Sequence, residues 1–139
     1  MLGQNAKDLF DLRGKVAVVT GGGGGLCGSM CRALGQLGVK VAVADLALDK
    51  AGAVADAVRK EGGVAKAFAC SVLEVQSMQT ACDAIRDTLG VPDLLINGAG
   101  GNDPRGSTGV EFLEKGAVAG PDIKGFFDLE AEGSCALSS

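Results

Sequence analysis

The sequence predicts an α/β fold, in which helices cover both faces of a doubly wound parallel β-sheet. Short runs of apolar, β-branched residues alternate with segments whose apolar residues recur at helical spacing. The resulting order is β-α-β-α-β-α-β, which is typical of parallel strands joined by right-handed crossovers. The first strand also runs directly into a cluster of glycines, as buried parallel strands often do where a helix follows.

Four segments are predicted as strands because each is short, apolar and bounded by glycine, proline or polar residues. Their ranges are 15–20, 39–45, 64–70 and 93–97. Few polar side chains interrupt these runs, which indicates a sheet buried on both faces.

Three segments between the strands are predicted as amphipathic helices, and a glycine after each can end it. Gly38 follows the first helix, Gly62 the second and Gly90 the third. The apolar residues at helical spacing are Leu26, Met30, Ala33, Leu34 and Leu37 in the first helix, Ala51, Val54, Ala55 and Val58 in the second, and Val75, Met78, Cys82, Ile85 and Leu89 in the third.

Composition narrows the range of functions. Apolar residues make up 47% and charged residues 22%, which is typical of a soluble globular domain. The net charge is -4 and the basic residues are scattered, so we expect no nucleic-acid partner. The sequence has no bilayer-length apolar run and no signal-peptide core, so we expect no membrane partner and a cytoplasmic location. With five cysteines, no Cys-x-x-Cys pair and no His, we predict no metal site and expect the cysteines to be small buried side chains.

The glycine cluster between the first strand and the first helix is the principal candidate binding element. A turn without side chains lets a ligand approach the backbone, and the free N–H groups of a helix N-terminus attract anions. We therefore predict that a pyrophosphate binds here. It is not a P-loop, because no Lys-Ser or Lys-Thr pair follows the glycines. The candidate residues are Thr20, Gly21, Gly22, Gly23, Gly24, Gly25 and Leu26.

Asp45 ends the second strand, about 20 residues beyond Gly25, where an acid can accept hydrogen bonds from both ribose hydroxyls of an adenosine. A carboxylate at this position repels a 2′-phosphate, and Leu46 follows it in place of an arginine. We therefore predict that the cofactor is NAD(H), not NADP(H). A solvated strand end is the alternative interpretation of Asp45 taken alone.

A third element, Asn97-Gly98-Ala99-Gly100, lies at the carboxyl end of the fourth strand. In a sheet with strand order 3-2-1-4, the first and fourth strands are neighbours. The two glycine-rich turns would then face each other across one crevice, at the switch point where open parallel sheets bind ligands. Small residues there leave room for a nicotinamide ribose.

Together these elements resemble the short-chain dehydrogenase/reductase family, over residues 10 to about 133. Thr20-Gly21-x-x-x-Gly25 is similar to its cofactor turn, Asp45 to its NAD-selecting acid, and Asn97-Gly98-Ala99-Gly100 to its N-x-A-G motif. The resemblance implies a Rossmann-type three-layer domain that binds NAD(H). It also places Ser71 near the adenine, and Val72 beside it is a further candidate cofactor-binding residue. Two positions depart from the family, with Cys27 at a usual glycine and Ser71 at a frequent aspartate.

Finer details resemble the D-mannonate oxidoreductases (fructuronate reductases). They are Gly24-Gly25-Leu26-Cys27, the segment 96–102 and the segment 126–129. This resemblance implies an oxidoreductase that transfers a hydride to or from a sugar acid. The family's catalytic residues are a Ser, an Asn, and a Tyr and a Lys in a Tyr-x-x-x-Lys motif. The chain contains no Tyr, so we assign no catalytic residue and expect the chain alone to be inactive.

We expect residues 1–139 to form one NAD(P)-binding domain, incomplete at its C-terminus, with an atypical tail at 134–139. The fourth strand would then be an exposed sheet edge, so we expect self-association or a homo-oligomer. One alternative is a non-catalytic NAD(H)-binding module that a partner completes. Another is an S-adenosylmethionine-dependent methyltransferase, although such enzymes usually carry an acidic or aromatic motif where this chain has Asn-Gly-Ala-Gly.

Overall fold

The computed structural model describes residues 10–100 and shows a four-stranded sheet with three helices. The predicted order of elements is confirmed, and each predicted strand differs from the observed one by a single residue at one end. The elements are β1 (Val16–Thr20), α1 (Gly25–Gln36), β2 (Lys40–Asp45), α2 (Leu48–Lys60), β3 (Val64–Ala69), α3 (Val75–Thr88) and β4 (Leu94–Asn97). The predicted tail at 134–139 lies outside the described residues.

All strand pairs are parallel, and the strand order is β3-β2-β1-β4, as predicted. Thr20 at the end of β1 lies opposite Ala44 of β2 on one side and Asn97 of β4 on the other. The register therefore brings the carboxyl ends of β1, β2 and β4 to one edge of the sheet, where the predicted binding elements lie.

The helices cover both faces of the sheet, which confirms the three-layer, Rossmann-type arrangement. On one face, α1 and α2 pack against inward-facing residues of the central strands, among them Val19, Val41 and Val43. On the other face, Ile85 of α3 packs with Val16 and Phe68. Burial of these side chains on both faces explains why the strands are apolar almost throughout.

The predicted buried face of α1 is wrong for all of its residues except Leu34. Leu26 is 74% exposed, and the buried residues of this helix are Cys27, Gly28, Cys31 and Gly35. A Cβ atom on Gly35 would lie 2.5 Å from Cγ1 of Val58, so α1 approaches α2 too closely for a larger side chain. Close packing therefore selects the small residues of α1 for full burial, while Leu34 packs half-buried against the core and Leu26, Met30 and Leu37 are exposed.

In α3 the predicted face is largely confirmed, since Ile85 is buried and Met78 and Leu89 pack partly buried against the core, but Val75 is exposed. The predicted glycine stops are confirmed. After α1, Gly38 adopts a φ of 78°, and the Val39 amide donates to the Leu34 carbonyl at 3.1 Å. This is the usual left-handed helix ending, which glycine adopts without strain.

Asp93, predicted as a strand residue, lies just before β4 and connects it to the start of β1. Its carboxylate accepts a hydrogen bond from the Val16 amide at 2.9 Å and lies 3.5 Å from Nζ of Lys15. The hydrogen bond from Val16, with the neighbouring Lys15 ammonium, holds the pKa of Asp93 below its usual value.

Among residues 10–100, no helix is both long and apolar enough to span a membrane. The cytoplasmic location stays a prediction.

Candidate functional site

The two glycine-rich turns that were predicted to face each other are in direct contact. Gly21 has a φ of 63°, and a Cβ atom there would lie 2.6 Å from the carbonyl oxygen of Gly98. A side chain at Gly21 would thus be strained by the backbone conformation and would also collide with the second turn. The contact sets the inner limit of the crevice at the carboxyl edge of β1 and β4.

Thr20 holds the second turn in place. Its side chain is 3% exposed, and Oγ1 accepts hydrogen bonds from the amides of Gly98 at 3.1 Å and Ala99 at 3.2 Å. The hydroxyl lies 3.5 Å from the Ile96 carbonyl, which is the acceptor for its proton. The sequence predicted Thr20 as a cofactor-binding residue, but its hydroxyl is used within the protein, so any part of this side chain in binding is indirect.

Cys27 and Gly98 fit together beneath the two turns. A Cβ atom on Gly98 would lie 2.1 Å from Sγ of Cys27, which is only 8% exposed. The thiol therefore occupies space that the missing side chain of Gly98 leaves open. This explains how the chain accommodates a cysteine at the position where the family usually has a third glycine.

Part of the first turn is saturated by hydrogen bonds within the protein. The Gly22 amide donates to the Ala44 carbonyl at 3.0 Å, the Gly23 amide to Oδ2 of Asp45 at 2.9 Å, and the Gly24 amide to the Gly21 carbonyl at 3.1 Å. These glycines were predicted as ligand-binding residues, but their N–H groups are occupied because they fix the shape of the turn.

The free donors lie at the beginning of α1. Within residues 10–100, the amides of Gly25, Leu26 and Cys27 have no hydrogen-bond partner, and the first occupied helical amide is that of Gly28. A Cβ atom built on Gly25 would meet nothing within 4 Å, so no residue in the described part of the chain packs against this first residue of the helix. Three convergent N–H groups at a helix N-terminus are a suitable site for a phosphate group.

The Asp45 carboxylate lies against the first turn. Oδ2 accepts from the Gly23 amide, and Oδ1 accepts from the Ala47 amide at 2.9 Å. An ionised carboxylate has about four lone-pair positions, so each oxygen retains capacity for one further donor. The arrangement can therefore still accept the two hydroxyls of a ribose.

Leu46, Ser71 and Val72 follow the carboxyl ends of β2 and β3, which are neighbouring strands. Leu46 is exposed, whereas Ser71 and Val72 are half-buried. The Ser71 amide donates to Oγ of Ser77 at 2.9 Å, which holds this loop against the first turn of α3. These three predicted cofactor-binding residues thus lie at the carboxyl ends of two neighbouring strands.

The described residues provide no candidate nucleophile or metal centre. Burial raises the pKa of the Cys31 thiol to about 11, and burial also raises that of Cys70. At neutral pH these thiols are protonated and poorly reactive. No group of three or more metal-ligating side chains occurs in the part of the chain that the structure describes.

The family model of the short chain dehydrogenases matches residues 15–118. The chain belongs to this family. Its match covers all four strands and both glycine-rich turns, and it confirms the predicted resemblance and fold. Members of the short-chain dehydrogenase family use a nicotinamide dinucleotide, which confirms the predicted class of cofactor at the level of the family.

One similar protein is the uncharacterised oxidoreductase UxuB from Bacillus subtilis. It is 42% identical over 123 residues, which cover 88% of this chain and 43% of UxuB. A crystal structure from Haemophilus influenzae, provisionally assigned as a D-mannonate oxidoreductase and holding NAD, has a TM-score of 0.71 and 34% identity, covering 93% of this chain and 45% of the other. A metagenomic short-chain oxidoreductase in complex with NADP has a TM-score of 0.61 and 32% identity, over 65% of this chain and 41% of the other. The chain therefore spans less than half the length of each of these proteins.

The sequence identified the two turns and Asp45, but it did not identify the contacts that hold them. The roles of Thr20, of the Cys27–Gly98 pair and of the Gly23–Asp45 hydrogen bond are visible only in the structure. Of these contacts, only the Cys27–Gly98 pair has a signal in the sequence, since a cysteine at a position that is normally glycine needs additional space nearby.

Proposed function

We propose that this chain binds NAD(H) at the carboxyl edge of its sheet and forms the cofactor-binding part of an oxidoreductase. The observation that carries the proposal is the set of three free amides at the start of α1, with the Asp45 carboxylate on the other side of the same turn. This combination matches the two most polar parts of the cofactor, the pyrophosphate and the adenosine ribose.

In this proposal the Gly25, Leu26 and Cys27 amides hold the pyrophosphate, and Asp45 accepts the adenosine ribose hydroxyls. Leu46, Ser71 and Val72 border the adenine, and Asn97, Gly98, Ala99 and Gly100 border the nicotinamide ribose. The bound dinucleotide supplies the hydride chemistry, and the role of this chain is to hold and orient it. Thr20, Gly21, Gly22, Gly23 and Gly24 give the two turns the shape that this requires.

The proposal includes a preference for NAD(H) over NADP(H). A 2′-phosphate beside the Asp45 carboxylate would place two negative charges about 4 Å apart, which costs about 4 kcal/mol at a surface-like dielectric. Because similar structures hold either NAD or NADP, the family alone does not determine the preference. Isothermal titration of the 139-residue chain with both cofactors tests it, and tighter binding of NADP(H) would contradict it.

We further propose a sugar acid of the mannonate or fructuronate type as the substrate of the complete enzyme. The Haemophilus structure supports this class, because it is provisionally assigned as a D-mannonate oxidoreductase. Since the chain contains no Tyr, we expect it to bind NAD without oxidising D-mannonate on its own. Turnover of D-mannonate by the purified chain would contradict this expectation.

The chief alternative is a non-catalytic NAD(H)-binding module that a partner completes. The two proposals predict different results when lysate proteins or candidate partner subunits are added to the purified chain. Under the alternative, a partner joins the chain in a stable complex and no D-mannonate oxidation appears. Binding of S-adenosylmethionine in preference to NAD would instead favour a methyltransferase.

We also propose that the chain self-associates through β4. Within residues 10–100 this strand pairs only with β1, and Leu95 is 50% exposed. A parallel strand whose outer edge is unpaired, as that of β4 is within the described residues, favours pairing with another chain.

A further inference from the structure

The Asp45 carboxylate connects two separate pieces of backbone. Oδ2 accepts a hydrogen bond from the Gly23 amide in the first turn, and Oδ1 accepts one from the Ala47 amide just before α2. Both distances are 2.9 Å, and the two donors belong to different segments of the chain. One side chain therefore fixes the glycine turn relative to the start of the second helix.

The packing around Gly23 shows that this connection is tight. A Cβ atom on Gly23 would lie 2.8 Å from Cβ of Lys50 and 3.0 Å from the backbone nitrogen of Ala51. The turn thus rests directly on the first turn of α2. The N-cap position of α2 is occupied by Ala47, which provides no side-chain cap. Asp45 is the only side chain among residues 10–100 that accepts a hydrogen bond from a backbone amide of the first glycine turn.

We propose that Asp45 is a positioning residue for the phosphate-binding turn, in addition to its proposed role in ribose recognition. Without the carboxylate, the Gly23 amide loses its acceptor, and the turn keeps its packing against α2 but loses the hydrogen bonds that fix it there. The amides of Gly25 and Leu26 follow Gly23 and Gly24 in the chain. The direction in which these two amides point therefore depends on the hydrogen bond between Gly23 and Asp45. Removing the negative charge therefore does not by itself convert the site to NADP(H).

The first test uses the ligand-free 139-residue chain, so it does not depend on the proposed function. Amide hydrogen exchange is measured by NMR in wild type and in Asp45→Ala. The informative amides are those of Gly22 and Gly24, which form hydrogen bonds to backbone carbonyls and do not contact Asp45. We expect their exchange to be at least fivefold faster in the variant. Unchanged exchange at both amides would overturn the inference, even if Gly23 and Ala47 exchange faster.

Two further variants control this test. Asp49→Ala removes the same charge from the exposed first turn of α2, where Asp49 forms no hydrogen bond within the described residues, and it should leave Gly22 and Gly24 unaffected. If Asp45→Ala does not fold, as shown by loss of protection at Val41 and Val43 in β2, Asp45→Asn takes its place. Asparagine retains one acceptor oxygen and loses the other, so we expect at least a twofold increase at Gly22 or Gly24. No increase at either amide would count against the inference.

The second test extends the inference to binding and rests on the proposed function. The probe is an NAD analogue that lacks both hydroxyls of the adenosine ribose, so Asp45 has no ribose partner. We expect Asp45→Ala to weaken binding of the analogue at least fivefold and to leave NADP(H) binding no tighter than in wild type. Equal binding of the analogue by both proteins, or tighter binding of NADP(H) by the variant, would overturn the inference. If wild type binds neither NAD nor the analogue, the proposed function fails, and the exchange experiment still decides the role of Asp45.

Discussion

At the scale of single residues, the site depends on side chains that fit or hold the two turns without facing a ligand. The Thr20 hydroxyl accepts hydrogen bonds from the Gly98 and Ala99 amides. The Cys27 thiol occupies the space that a side chain on Gly98 would need. Since buried polar groups are costly when they lack a partner, the pairing of Thr20 with both amides stabilises the turn as well as shaping it.

The Cys27–Gly98 contact predicts a specific non-additive effect. Gly98→Ala should reduce the free energy of unfolding by about 1–3 kcal/mol, because the added methyl group overlaps Sγ of Cys27. In Cys27→Gly/Gly98→Ala the overlap with sulfur is gone, although the Thr20 carbonyl still lies 2.9 Å from the new Cβ. Urea unfolding of both single variants and the double variant should show a favourable coupling of about 1 kcal/mol. Strictly additive effects would show that the two residues do not share this space.

At the scale of elements, the packing of α1 through small residues determines which glycines tolerate a side chain. Gly35→Ala improves helix propensity by about 1 kcal/mol, but its Cβ would lie 2.5 Å from the fully buried Val58. We expect a net loss of about 1–2 kcal/mol in the free energy of unfolding, because the overlap outweighs the propensity.

Gly52→Ala in α2 is the matched control, since a Cβ there would meet nothing within 4 Å. The same substitution should raise the free energy of unfolding by about 0.5–1 kcal/mol. Thermal or urea unfolding of the two variants side by side gives the comparison. If Gly35→Ala also stabilised the protein, the close approach of α1 and α2 would be incorrect.

The connection of β1 to β4 through Asp93 predicts a dependence of stability on pH. Because the folded protein lowers the pKa of this carboxyl from 3.8, its contribution is present above pH 3.8 and is lost as the pH falls through the folded value. Asp93→Asn should therefore be less stable than wild type near neutral pH, and the difference should shrink in acid. Urea unfolding of both proteins across this range measures the difference. A difference that does not change with pH would contradict the assignment.

At the scale of the whole molecule, the proposed association through β4 can be tested by adding a charge to its edge. Leu95→Lys should shift the chain toward the monomer, because lysine on an edge strand opposes pairing with another chain. Analytical ultracentrifugation over a range of concentrations gives the oligomeric state. Leu37→Lys is the control, because Leu37 is also an exposed leucine but follows α1, away from this edge. A wild-type chain that is monomeric at all concentrations would contradict the proposed association.

The agreement between sequence and structure differs from one feature to another for physical reasons. Strands were predicted to within one residue, because burial on both faces leaves apolar runs that end sharply at polar residues. The buried face of α1 was not predicted, because hydrophobic periodicity weights Leu26 and Met30 above glycine and cysteine. The free amides at the start of α1 were predicted only as part of the larger glycine cluster. The amides of Gly22 and Gly23 are occupied by acceptors in β2, and a local sequence motif does not show such contacts.

The sequence by itself determined the order of the elements, the layered fold and the place of the two turns and Asp45, because each depends on local patterns and on the handedness of crossovers. Only the tertiary structure decided which amides remain free, how Cys27 and Gly98 share one space, and that Asp45 connects the first turn to α2. Those features depend on distances of about 3 Å between residues far apart in the chain, which only the packing of the whole domain determines.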